Sequence, residues 1–401
     1  MSEFFVLLLR LISYLEGPSK ILFAAPIFLM ITTATVRHSL RNQELFALKK
    51  KHIFYPLAVF LYFILHTAIF STVDIKVIAI LYSYLIWYLF CLGKFGSSSV
   101  YQVVKYLVIS FALYNLVNYI WYEVAYADLK TGINSTLKYF GIVAYRVNFP
   151  MASGPTTNAA QVGITSLLVL YLIRLETGYF RKRFLQLLYA GTLYLLLVID
   201  SRFPFAISLM LGVISVTNFN QLFIILRKYW WMFALGAISM IVVFYDSDAF
   251  QGIKRPGEFN EDFFSRPKIW TMTLQAWAQD LRLFFGYGLT NFREAVLGTE
   301  LGAKIYESKL NTTHNIYLQV LLDFGLFGFM AFAYFIFKYS QKLYVLRKER
   351  MLTLLFVAFF LFGIVEALPS YYSFTITLQF IAVITLINKM YNDAIRQSNQ
   401  A

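Results

Sequence analysis

One cysteine, four histidines and a low share of charge set the first limits on this chain of 401 residues. Cys91 stands alone within an apolar run, so the chain can build neither a disulfide framework nor a thiolate metal cluster, and the redox compartment stays open. His38 and His52 fall in a basic stretch, and His66 lies within an apolar run. His314 opens a later apolar run, with no neighbouring His or Asp cluster, so no metal-ligand set is recognisable and no metal or cofactor is expected. Lys and Arg outnumber Asp and Glu by 35 to 21, a formal charge of +14. They are not gathered into a soluble module, which argues against a nucleic-acid partner. No period of about 20 to 50 residues recurs, which excludes a solenoid and leaves a duplicated transporter half without support. Over residues 1–17, Glu3 occupies the expected basic start, Arg10 interrupts the apolar core, and no small-residue cleavage site follows. A short first span or an interfacial helix is therefore expected there, not a signal peptide.

What the chain has in quantity is apolar surface. Hydrophobic residues make up 59% of it and charged residues only 14%, with a mean hydropathy of +0.62, which places it in the membrane class. Apolar runs cover 4–16, 21–36, 53–72, 75–93, 100–122, 158–173, 184–200, 203–218, 229–245, 314–337, 352–368 and 371–391. Each is near the length of one membrane crossing, about 20 residues, or somewhat short of it. The expected fold is all-α: a polytopic transmembrane bundle of about twelve spans, forming a single integral membrane domain over residues 1–401.

Alternate connections are basic. Arg37, Arg41, Lys49, Lys50 and Lys51 precede the third run, and Arg174, Arg181, Lys182 and Arg183 follow the sixth. Arg227 and Lys228 follow the eighth, and Lys338, Lys342, Arg347, Lys348 and Arg350 follow the tenth. Basic loops stay in the cytoplasm, so the other set faces outward, to the periplasm in a Gram-negative cell. Two outward connections are long, 123–157 and 246–313, and long loops in compact proteins carry function. Within the larger, Phe263 to Leu283 has helical apolar spacing, with Pro267 near its start and Trp270 and Trp277 two turns apart. The spacing predicts an amphipathic helix along the membrane surface. Gly286-Tyr287-Gly288 then reads as a tight turn back to the bundle.

The candidate chemistry lies on that outward side. His314 follows the small hydroxyl residues Thr312 and Thr313 and is expected in the first turn of a helix. Gly325 and Gly328 share its helical face and would admit a neighbouring helix closely. The plainer alternative is a helix-start histidine capped by Thr312 or Thr313 above a small-residue packing motif. Arg202 opens a span, Arg266 heads the surface helix, and Arg146 lies in the smaller outward loop; an arginine at a membrane boundary is ordinarily a snorkelling headgroup anchor. Guanidinium groups nevertheless match phosphate oxygens bidentately and keep their charge. A histidine suits taking a proton from an attacking hydroxyl near neutral pH. Glu366 closes the eleventh run; it could orient His314, pair with an arginine, or be an ordinary interfacial acid. Asp323, nine residues past His314, points to the opposite helix face at roughly mid-membrane depth and must be paired or neutral, with no partner evident in the sequence.

His314-Asn315, nine residues, then Gly325-x-x-Gly328 resembles the signature of the O-antigen ligase and polymerase superfamily. Other segments are similar to it in the same order: Arg146 to Asn158, Ser201-Arg202, Arg266-x-x-x-Trp270, and Gly286-x-Gly288 ending in Phe292. The resemblance covers the C-terminal two-thirds of the chain. It implies an inner-membrane enzyme of lipopolysaccharide biosynthesis with about twelve spans, a large periplasmic loop at 246–313, and a site facing the periplasm. The implied reaction is a metal-independent transfer of O-antigen from undecaprenyl pyrophosphate to lipid A-core among membrane lipids. Carried onto matching positions, it makes His314 the general base and Arg202 and Arg266 the pyrophosphate clamp, with Arg146, Asn315 and Glu366 as substrate-binding candidates. Ala206 stands where ligases often carry leucine, which keeps the polymerase of the same superfamily as an alternative. A saccharide-lipid transporter is a further alternative, disfavoured because transporters put their sites near the midplane in broken helices.

Overall fold

The helix Pro155–Leu175 is the axis of the bundle: the computed structural model packs five other helices against it. The structure describes residues 51–70, 75–126, 145–151, 155–216, 266–299 and 312–400, apart from a few positions within these ranges. The apolar runs 4–16, 21–36 and 229–245 lie outside the described residues. In chain order the described helices are α1 (Lys51–Phe70), α2 (Ile75–Gly96), α3 (Val100–Trp121), α4 (Pro155–Leu175), α5 (Tyr179–Ile199) and α6 (Arg202–Val216). They continue with α7 (Arg266–Trp277), α8 (Arg282–Phe285), α9 (Phe292–Val296), α10 (Ile316–Val345), α11 (Arg350–Phe362) and α12 (Phe374–Gln400). No strand occurs among the described residues.

Six of these helices are long and apolar enough to cross a membrane, and three shorter apolar helices, Leu57–Phe70, Arg202–Ser215 and Arg350–Phe362, accompany them. α4 can be central because small and polar side chains line it. A Cβ at Gly163 would press into Ser208 of α6 and Phe362 of α11, so these two helices close over the missing side chain. Gln379 of α12 donates to the Gln161 carbonyl at 3.1 Å and to Thr165 Oγ1 at 2.9 Å. α3 is started by a capping box between Ser99 and Gln102.

These contacts fix which helix ends lie together. α4 and α5 are joined by a turn in which the Glu176 carboxylate accepts from the Tyr101 hydroxyl and, at 2.8 Å, from the Gly178 N–H. Those two donors hold the Glu176 carboxyl below the ordinary carboxylate range. Two residues, Asp200 and Ser201, return the chain from α5 into α6. The starts of α4, α6 and α12 therefore sit with the ends of α5 and α11. The start of α10 joins them, because the Ile316 N–H donates to the Gly363 carbonyl at 2.8 Å. At the opposite end the Tyr171 hydroxyl reaches Glu349, at the turn between α10 and α11, at 3.1 Å.

Several sequence expectations are corrected in detail. The surface helix expected over Phe263 to Leu283 is α7 followed by the separate turn α8. The Ile269, Trp270 and Met272 side chains of α7 are buried with Leu322 of α10, so α7 is packed into the protein. The eleventh run stops being helical at Phe362, which puts Glu366 beyond the helix and not at its end. Of the glycine pair on α10, Gly325 does admit a neighbour closely, the backbone of α8, but at a break in the helix and not along a continuous seam, and Gly328 admits none. Gly325 has φ 63° and ψ −163°, a conformation only glycine tolerates well, and it breaks α10 there. The carbonyls of Leu322 and Asp323 lose helical partners at the break and accept instead from the N–H groups of Tyr287 (2.8 Å) and Gly288 (2.9 Å). A Cβ at Gly325 would collide with the Phe284 carbonyl, while one at Gly328 would meet only Phe324 of its own helix. The turn at Gly286 and Gly288 is as expected: both have positive φ, and they dock the chain on the break.

Candidate functional site

Residues 312–316 are the knot that ties α7, α10 and the segment after α11 together. The helix start is shifted from the sequence expectation. Asn315, not a threonine, is the N-cap, its Oδ1 accepting from the N–H of Tyr317 at 2.9 Å and of Leu318 at 3.1 Å. Its Nδ2 donates to the Ile364 carbonyl at 3.0 Å. Asn315 is buried and both ends of its amide are engaged in holding the two segments together.

His314 consequently stands before α10 and not in its first turn. Its φ is 51°, and among the described residues only Asp200 shares a positive φ without being glycine. Such a conformation costs an L-residue roughly 1–2 kcal/mol, and it persists only where the surroundings impose it. They do so here: the Thr313 carbonyl accepts from Trp270 Nε1 at 2.9 Å, and Thr313 Oγ1 bonds both the carbonyl and the N–H of Asn315. The turn aims the imidazole at Glu366, with Nδ1 2.9 Å from Oε2. The Glu366 side chain is 9% exposed and that of His314 is 29% exposed, so the ring is reachable while its partner is covered. Of the three readings the sequence offered for Glu366, the first has its geometry here: the carboxylate is in contact with the His314 ring. An ionised carboxylate accepts a hydrogen bond from Nδ1–H, and in that tautomer the basic lone pair is on Nε2.

The other strained residue marks the second part of the site. Asp200 ends α5 in the left-handed conformation (φ 57°, ψ 49°), and Arg202 opens α6 two residues later, half-buried. Arg146 lies over this corner: its Nε is 3.8 Å from Asp200 Oδ2 and 3.5 Å from the Ile199 carbonyl, and the Val147 N–H donates to the Val198 carbonyl at 3.0 Å. Arg146 and Arg202 therefore flank one turn. That turn belongs to the same bundle end as His314 and Glu366, through the meeting of α6 and α11 over Gly163.

Arg266 is the first residue of α7; its backbone is one helical turn from Trp270, whose indole bonds Thr313 next to His314. All six residues singled out in the sequence, Arg146, Arg202, Arg266, His314, Asn315 and Glu366, thus come to one end of the bundle. The contacts link them as two groups, one around the Asp200 turn and one around the Thr313–Asn315 turn. Sequence reasoning did not find Gln319 as part of the second group. Its Oε1 accepts from the Thr313 N–H at 2.9 Å and its Nε2 donates to Asp323 at 2.8 Å, which supplies the partner that Asp323 lacked. Among the described residues no cluster of three or more His, Cys, Asp or Glu is placed to hold a metal ion.

No curated protein matches the chain. A family model described as O-antigen ligase matches residues 187–333, a region running from within α5 into α10 that includes Arg202, Arg266, His314 and Asn315 but neither Arg146 nor Glu366. Over that region, a little over a third of the chain, the protein is similar to the O-antigen ligase family, and six described helices are long and apolar enough to cross a membrane.

Proposed function

We propose that the protein is an O-antigen ligase of the bacterial inner membrane, transferring O-antigen from undecaprenyl pyrophosphate to lipid A-core at a site facing the periplasm. The observation that carries the reading is the His314–Glu366 pair at 2.9 Å, on a turn held in a strained conformation, with an accessible ring and a covered carboxylate. In this mechanism Glu366 accepts from Nδ1–H and His314 Nε2 takes the proton of the acceptor hydroxyl as its oxygen bonds to the anomeric carbon. The bond from that carbon to the pyrophosphate oxygen breaks as the new one forms. Charge accumulating on the departing pyrophosphate is neutralised by Arg202 and Arg266, with Arg146 assisting from the Asp200 corner. No step calls for a metal. Asn315 contributes by fixing the turn that carries His314.

The test is a transfer assay on purified variants with saturating carrier-linked donor and acceptor, alongside a melting curve. A general base is worth roughly 10² to 10⁴ in rate. His314→Gln keeps polarity and approximate size but cannot take the proton, so it should lose activity on that scale while folding normally and binding donor. Glu366→Gln should also lose activity, but less, since it leaves the base in place. Wild-type turnover by His314→Gln at unchanged stability would defeat the mechanism. The superfamily's polymerase chemistry, to which Ala206 gives some support, is separated by the lipopolysaccharide of a deletion strain. Loss of all O-chain with carrier-linked polymer still made indicates the ligase. A core bearing a single repeat indicates the polymerase.

A further inference from the structure

The backbone on which His314 turns is held by a side-chain relay that starts inside α10. Asp323 is buried, and its Oδ1 accepts from Gln319 Nε2 one helical turn earlier, at 2.8 Å. Oδ1 accepts whether the carboxyl is ionised or carries its proton on Oδ2, and that contact goes with one orientation of the Gln319 amide, Nε2 toward Asp323. The Gln319 Oε1 is left facing the knot, where it accepts from the Thr313 N–H at 2.9 Å. On the other side of the same residue, Trp270 Nε1 holds the Thr313 carbonyl at 2.9 Å. Both polar groups of the Thr313 backbone are thereby occupied, and the next residue is the left-handed His314. Gln319 and Trp270 are both buried, so water cannot replace either bond without opening the packing.

We infer that Gln319, its amide oriented by Asp323, is a positioning residue that holds the Thr313–His314 backbone so that the imidazole meets Glu366 and the acceptor hydroxyl together. Neither side chain touches the reacting atoms. The inference rests on His314 acting as the base. A small misplacement of a catalytic group can cost up to about 10²-fold in rate, while leaving donor affinity set elsewhere, on the arginines. The signature is therefore a fall in kcat with KM for donor unchanged.

The experiment compares Gln319→Met, Asp323→Leu, Asp323→Asn and His314→Gln as purified full-length protein, each assayed per mole of folded protein. Gln319→Met fills the same space without a polar group, and Asp323→Leu removes the acceptor that orients Gln319. Both should lose roughly ten- to hundredfold in kcat at a donor KM within about twofold of wild type. Asp323→Asn keeps an acceptor oxygen and should recover most of the kcat lost in Asp323→Leu. Should Gln319→Met fail to accumulate, the Leu and Asn pair at 323 decides alone. Wild-type kcat in Gln319→Met, or equal kcat in Asp323→Leu and Asp323→Asn, would overturn the inference. A fully active His314→Gln would instead remove the reading on which it rests.

Discussion

Arg202 sits at a helix start beside the strained turn of Asp200, with Arg146 reaching over the same turn, and a lone anchoring role would not require that company. Arg202→Lys preserves the charge and loses the planar fork that grips two phosphate oxygens. Transfer should fall roughly tenfold or more, short of the 10²–10³ of a deleted transition-state donor, with the melting temperature unchanged. Full activity would identify Arg202 as a headgroup anchor. At this scale residue types and their order were legible in the sequence: His314, Arg202 and Arg266 stand at helix starts because polar lead-ins meet apolar runs there. What periodicity does not encode is φ. Nothing in Thr312-Thr313-His314-Asn315 says which of several capable side chains caps the helix, and the choice of Asn315 is what expels His314 into the turn. Gln319 was equally hidden, since an i, i+4 pair with Asp323 gives no hint that its oxygen reaches back to Thr313.

α10 is the element whose sequence pattern was read most readily and interpreted least well. Gly325 and Gly328 lie on the His314 face by spacing, but spacing assumes a continuous helix, and the donors that satisfy its broken carbonyls come from Tyr287 and Gly288, far earlier in the chain. Gly325→Ala tests the break directly. The side chain would be forced into a conformation costing roughly 1–3 kcal/mol and would collide with the backbone at Phe284. The detergent-solubilised variant should unfold at a clearly lower temperature than wild type, with a smaller effect for Gly328→Ala, whose obstruction is a side chain of the same helix. Equal melting of Gly325→Ala and wild type would mean that the turn at Gly286–Gly288 does not depend on the break. The division of the large-loop helix into α7 and α8 was likewise invisible, because the apolar spacing continues through both.

For the whole molecule, the packing groups the turns around 178 and 346 at one end through Tyr171 and Glu349, in keeping with the clustering of Lys and Arg there. Reporter fusions after residues 45, 178 and 345 should read cytoplasmic and fusions near 135 and 260 periplasmic. A cytoplasmic reading at 260 would take the loop that carries Arg266 away from the compartment proposed for the reaction. Alternation of basic connections carries this expectation, while long apolar runs made α2 to α5 legible in the sequence, their ends agreeing closely with the helices. The gathering of distant segments at one end follows from contacts such as Gln379 with Gln161, which no local pattern announces. The same end carries the two left-handed non-glycine residues found among the described ones, Asp200 and His314. A designer optimising this chain for heat resistance alone would place glycine at those two positions, relaxing the backbone and discarding the imidazole with it. Consensus-style stabilisation of this protein therefore has to exempt the two positions where it would find its easiest gains.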